Sequence, residues 1–168
     1  MRRLLVSLIC AVLAAGGWAL AAAPASSQSR FPAAGVPLVL TARNGHLDAT
    51  ARITKMAAGP EAALQSQWSE PDVPAPRSQV GRLRLRVSGH EVIVPLSAVL
   101  DLYQPDTASL KPDRSGFVLE IHGGDGSLGY VTRIHFDAHR VLDRQINGGE
   151  GGELWERTTY SNEPFPYE

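Results

Sequence analysis

The chain is almost without cysteine: Cys10 is the only one, and it lies in an apolar N-terminal run. Once that run is removed, no thiol remains for a disulfide, a thiolate nucleophile or a cysteine-ligated metal, so stability has to come from a packed core. Charge of either sign is in short supply as well. The 16 Lys and Arg nearly balance 17 Asp and Glu, which excludes nucleic-acid binding through a general basic surface. Nor is there a membrane span, because the apolar part of the N-terminus, Leu4 to Leu13, is shorter than the roughly 20 residues a crossing helix needs.

That run reads instead as a signal peptide. Arg2 and Arg3 precede it, and Ala19-Leu20-Ala21 supplies an A-x-A cleavage site. Cys10 lacks the small neighbours of a lipoprotein site and counts as one more apolar residue. Removal of residues 1–21 is expected to leave about 147 residues with 14 basic and 17 acidic side chains, a charge near −3, and no stable membrane anchor. An exported, cysteine-free chain led by two arginines points to a bacterial periplasmic or secreted protein. Its length suits a single domain.

Hairpins dominate the remainder of the chain. From Gly116 to Ile146 there are two strand-like runs of opposite facial polarity: Phe117, Leu119 and Ile121 share one side, and Tyr130, Thr132, Ile134 and Phe136 share one side of the next. Antiparallel pairing with Leu119 facing Ile134 sets Phe117 against Phe136, Ile121 against Thr132 and, outside, Glu120 against Arg133. A slip of one residue would turn both phenylalanines into water. The connection from His122 to Gly129 has four glycines, which suits either a bulged hairpin loop or a mobile functional one.

Asn44-Gly45 predicts a second hairpin, with Leu40 opposite Ala49 and Leu38 opposite Ala51. Gly89-His90 predicts a third, with Val87 opposite Val92 and Leu85 opposite Val94. Residues 22–35 read as a flexible leader, and Ala57 to Ser78 as a proline-rich loop, with Trp68 tucked against the sheet. Leu96 to Tyr103 suggests a short helix capped by Ser97, and Gln104 to Ser115 a loop. After a turn at Asp137 to Arg140, strands are expected at Val141–Ile146 and Leu154–Tyr160, the latter with Leu154 or Trp155 inward. Residues 161–168 form an extended tail. The sum is one all-β, mainly antiparallel domain over 36–160, a sandwich or small barrel of about eight strands with at most one or two short helices.

Candidate sites are few. His46, His90, His122, His135 and His139 fall at separate turns or strand positions, a poor basis for a zinc site, so no metal is expected. No G-x-S-x-G elbow is present, Asp125 lacks the further oxygen ligands of a calcium loop, and no helix comes after the glycine loop to cradle a phosphate. No cofactor is implied. Two surface features remain as partner-binding candidates. One is the glycine loop with His122 and Asp125. The other is Arg82, Arg84 and Arg86, which alternate with Leu83, Leu85 and Val87 and form a guanidinium row fit either for an anionic partner or for a solvated strand face.

By elimination the expected function is a non-enzymatic, exported binding protein, such as an inhibitor, an immunity-type protein or an envelope accessory protein, whose partner is another envelope or secreted protein. The alternatives are a cell-envelope hydrolase built from scattered residues, and a carbohydrate- or lipid-binding β module. The module would need exposed aromatics among Tyr103, Tyr130, Trp155 and Tyr160.

Overall fold

Alternation of side chains is realised as two antiparallel sheets in a computed structural model that describes residues 26–59 and 77–161. The expected signal peptide, the stretch containing Trp68 and the tail from 162 onward lie outside the described residues. Among the described residues ten strands run in order: β1 (Ser27–Arg30), β2 (Pro37–Asn44), β3 (Leu47–Ala57), β4 (Ser78–Val87), β5 (His90–Val92), β6 (Pro105–Asp113), β7 (Gly116–Gly123), β8 (Tyr130–Phe136), β9 (Val141–Gly148) and β10 (Leu154–Thr159). One sheet has the order β1-β6-β7-β8-β9-β10 and the other β2-β3-β4-β5. The architecture is therefore a sandwich; it does not close into a barrel.

The β7–β8 register is the one the alternating runs require, with Phe117 on Phe136, Leu119 on Ile134, Ile121 on Thr132 and Glu120 on Arg133. The two phenyl rings stack with centroids 5.8 Å apart. Phe117, Leu119, Ile121, Ile134 and Phe136 are all buried, and they meet Leu40, Ile53, Leu85 and Val87 of the facing sheet in one core. Each large side chain so buried contributes about 1.5–3 kcal/mol.

Both short hairpins keep the expected faces but turn one residue away from the expected place. In β2–β3 the two-residue loop is Gly45-His46, flanked by the pair Asn44 and Leu47, so Leu40 faces Ala51 and Leu38 faces Ile53. Gly45 takes φ +60° as the first loop residue, the requirement of a II′ turn. Asn44 is drawn out of the turn because its side-chain amide donates to the carbonyls of Asp113 (2.7 Å) and Gly116 (2.9 Å), fastening this hairpin to the β6–β7 turn of the other sheet. In β4–β5 the loop is Ser88-Gly89, with φ +49° and +85°, a I′ geometry, and Leu85 faces Val92. Each displacement moves the register by two, which preserves which residues point inward.

Four other expectations are corrected. Ser27–Arg30, assigned to the leader, forms edge strand β1 on β6, and Phe31 enters the core. Residues 105–113, assigned to a loop, form β6. Its two prolines fall outside Thr107–Leu110, the part bonded to β1, so the missing amide donors are tolerated where one side of the ladder is open. Leu96–Ala98 is a single 3-10 turn that begins after Pro95 rather than a helix capped by Ser97. Finally, neither Leu154 nor Trp155 turns inward; they are 53% and 52% exposed. The six-stranded sheet is two strands wider than its partner, and β10 at its rim has no facing strand among the described residues.

The sheets are also stitched at their margins. Ser27 Oγ donates to the Thr41 carbonyl and accepts from the Thr41 amide, while Ile93 makes a parallel bridge to Arg140. Replacing Asn44 by Ala deletes two inter-sheet hydrogen bonds to part-buried carbonyls and is expected to cost about 1–3 kcal/mol. Urea titration of Asn44→Ala against the parent protein measures this directly.

Candidate functional site

The outward face of the four-stranded sheet holds the strongest concentration of unpaired charge among the described residues. Because Leu83, Leu85 and Val87 point into the core, Arg82, Arg84 and Arg86 must point out. The same logic applied to β3, where Ala49, Ala51 and Ile53 are buried, turns Thr50, Arg52 and Thr54 outward. The β3–β4 register then sets Thr50 beside Arg86, Arg52 beside Arg84 and Thr54 beside Arg82. Four guanidiniums thus occupy a patch two strands wide, with like charges directly opposite one another at Arg52 and Arg84.

Their side chains wall an open groove of about 390 Å³ lined by Val39, Thr50, Arg52, Arg84 and Arg86, next to a second of about 200 Å³ lined by Arg52, Thr54, Arg82 and Arg84. Both share the Arg52–Arg84 pair. Acids on this face stand at its margin. Asp48 is held by Arg43 at 2.8 Å, and Glu91 is the cross-strand neighbour of Arg86 without an ion pair joining them. Among the described residues, none of the four arginines has an ionic partner.

The row projects from a sheet face and also borders open edge: β4 is paired along β3 on one side, whereas on the other β5 covers Leu85–Val87 and a bridge joins Gln79 to Tyr103, leaving residues 81–84 without a second strand partner among the described residues. Like charges directly opposite on a sheet are destabilising. Arg84→Thr should therefore be neutral or stabilising by a few tenths of a kcal/mol, as thermal melts of the two proteins at low salt would show.

The other candidates lie on the far side of the molecule. His122 shares the outer face of the six-stranded sheet with Glu120, opposite in direction to the buried Leu119 and Ile121. There Glu120 is the hub of a charged network: His122 Nε2 lies 3.1 Å away, Arg133 Nε donates at 3.0 Å and Lys111 Nζ at 3.3 Å. Burial alone would push the Glu120 carboxyl up, but the His122 contact and the charges of Lys111 and Arg133 outweigh it and hold it below the ordinary value of 4.5. Asp125 is exposed at the start of a 3-10 turn over Gly126–Leu128. It does not join His122 and the arginines in one site.

The glycine loop is fastened rather than loose. Gly124 N–H donates to the Gln104 carbonyl and Gly149 N–H to the Gly129 carbonyl. Gly124 takes φ +75°, and a Cβ there would fall 2.1 Å from the Leu128 oxygen. Beneath the loop Tyr130 is buried, its hydroxyl donating to the Tyr103 carbonyl at 2.8 Å. With Tyr130 inside, Trp155 does not share an aromatic platform with it.

Arg144 was not anticipated. It is 2% exposed on β9, where its guanidinium donates to the Ser97 carbonyl and to Asp101 (2.6 Å). Burial opposes its charge, yet Asp101 and Glu156 raise its pKa above the usual arginine value. It serves as a tie for the 96–101 segment. Among the described residues no three His, Cys, Asp or Glu side chains converge to hold a metal. The chain matches no family model, no curated protein and no solved structure.

The lowered Glu120 pKa makes a pH-dependent contribution to folding, present above pH 4.5 and lost as pH falls through the depressed folded value. Glu120→Gln should destabilise the protein at pH 7 by about 1 kcal/mol or less, given its half-exposed partners. The gap should begin to narrow below pH 4.5 and close as pH falls through the depressed folded value, measured by urea midpoints across pH.

Proposed function

We propose that this is an exported, non-enzymatic binding protein of the bacterial periplasm or extracellular space, an inhibitor, immunity-type or envelope accessory protein. It docks an acidic surface of another envelope or secreted protein on the outer face of the β2–β5 sheet. Export rests on the N-terminal pattern of Arg2 and Arg3, the apolar run and the A-x-A site. The recognition surface rests on one observation: Arg52 stands directly opposite Arg84 between Arg82 and Arg86, with no acid paired to any of them among the described residues. Guanidinium forks match carboxylates and are weakly hydrated, so such a patch gains most when an anionic partner neutralises it. Flat grooves on a sheet face also suit a macromolecular surface better than a buried small molecule.

Immobilised protein exposed to periplasmic extract should retain an acidic protein that elutes by about 0.5 M salt, where screening shortens charge interactions to a few ångströms. The Arg52→Thr, Arg84→Thr double variant should retain at least tenfold less of it. Equal retention by the folded double variant would defeat the proposal.

A further inference from the structure

We infer that the element recognised by the arginine face is an extended peptide segment carrying acidic side chains at every second position. This inference rests on the binding role proposed for that face and deepens it. Arg82, Arg84 and Arg86 project from one strand at the two-residue repeat, about 6.6–6.8 Å. An extended acidic segment presents alternate side chains to one side with the same repeat, so three carboxylates meet three guanidiniums without mismatch along the row. A compact acidic cluster presents no such repeat.

The flanking residues grade the three positions. Across the β3–β4 ladder Arg86 and Arg82 are neighboured by Thr50 and Thr54 and Arg84 by Arg52, while across the β4–β5 ladder Arg86 is also neighboured by Glu91. The middle carboxylate of the incoming segment therefore sits between two guanidiniums, at the boundary of the two adjoining grooves that both arginines line. The outer carboxylates each meet one guanidinium and a hydroxyl, and the one at Arg86 also faces Glu91, which makes that position the weakest. Recognition is centred on Arg52 and Arg84, and the acid that faces them dominates affinity.

Two synthetic peptides of equal composition and charge separate register from bulk electrostatics: one alternates three Glu with Thr, and the other carries the three Glu as a block. In a strand the block offers at most two carboxylates to one side. Affinity is read by NMR titration of the purified protein, following the guanidinium Nε–H signals of Arg52, Arg82, Arg84 and Arg86.

The alternating peptide should bind about twofold tighter than the block, which in its best register leaves one outer position unfilled. Changing its middle Glu to Gln should cost about fivefold and either outer Glu about twofold. Arg84→Lys, which keeps charge and loses the fork, should fall between the parent and Arg84→Thr. Equal binding of the two peptides, both abolished in Arg84→Thr, would overturn the alternating segment and leave the arginine-face reading standing. Failure of the alternating peptide to bind overturns it too, and partner retention by the double variant then judges the wider reading separately. Tighter Arg84-dependent binding of inorganic polyphosphate or of anionic phospholipid vesicles than of the alternating peptide would also overturn it.

Discussion

The structure depends on the stacking of Phe117 on Phe136 across the β7–β8 ladder. Among the described residues these are the two largest fully buried side chains, and they share one face with Leu119 and Ile134. Because side-chain direction has a period of two, burying that pair fixes the direction of each residue along both strands. The same parity carries outward to β6 and β9, where Leu110 faces Leu119 and Arg144 faces Ile134. Arg144 is the exception in the row. A guanidinium occupies a core-facing position there and is tolerated because Asp101 and the Ser97 carbonyl meet it.

Holding two sheets together takes more than apolar contact, since a hydrophobic interface by itself permits sliding. The directional restraints are at the rim. Asn44 reaches across to two carbonyls of the β6–β7 turn, Ser27 clasps Thr41, and Tyr130 bonds Tyr103 beneath the glycine loop. Each uses a side chain to satisfy a backbone group of another element, which sets the relative placement of sheets that pack through otherwise interchangeable aliphatic groups.

The two outer faces differ in how they treat charge. On the six-stranded sheet Glu120 gathers Lys111, His122 and Arg133, so positive side chains are neutralised within the fold. On the four-stranded sheet Arg52, Arg82, Arg84 and Arg86 stand together without an ion pair among the described residues, although Glu91 neighbours Arg86. A self-satisfied network needs no partner, and an uncompensated row gains from one. That contrast, more than any single residue, sets the arginine face apart from the rest of the described surface.

The inward and outward faces of β2, β3, β4, β7 and β8 were legible in the residues, because alternation is a local property. So was the β7–β8 register, where large apolar residues on one side and an ion pair on the other left one solution. Turn position was legible only to within one residue: Asn44 is as good a turn former as Gly45, and its removal from the turn depended on distant carbonyls at Asp113 and Gly116. β6 was hidden by its prolines, whose tolerance depends on how far β1 extends. The arginine row of β4 was visible, but Arg52 was not, since joining it to the row requires knowing that β3 lies beside β4. Local pattern thus decided which way each side chain points; only tertiary pairing decided which charges share a surface, because proximity between strands is set by the whole packed core.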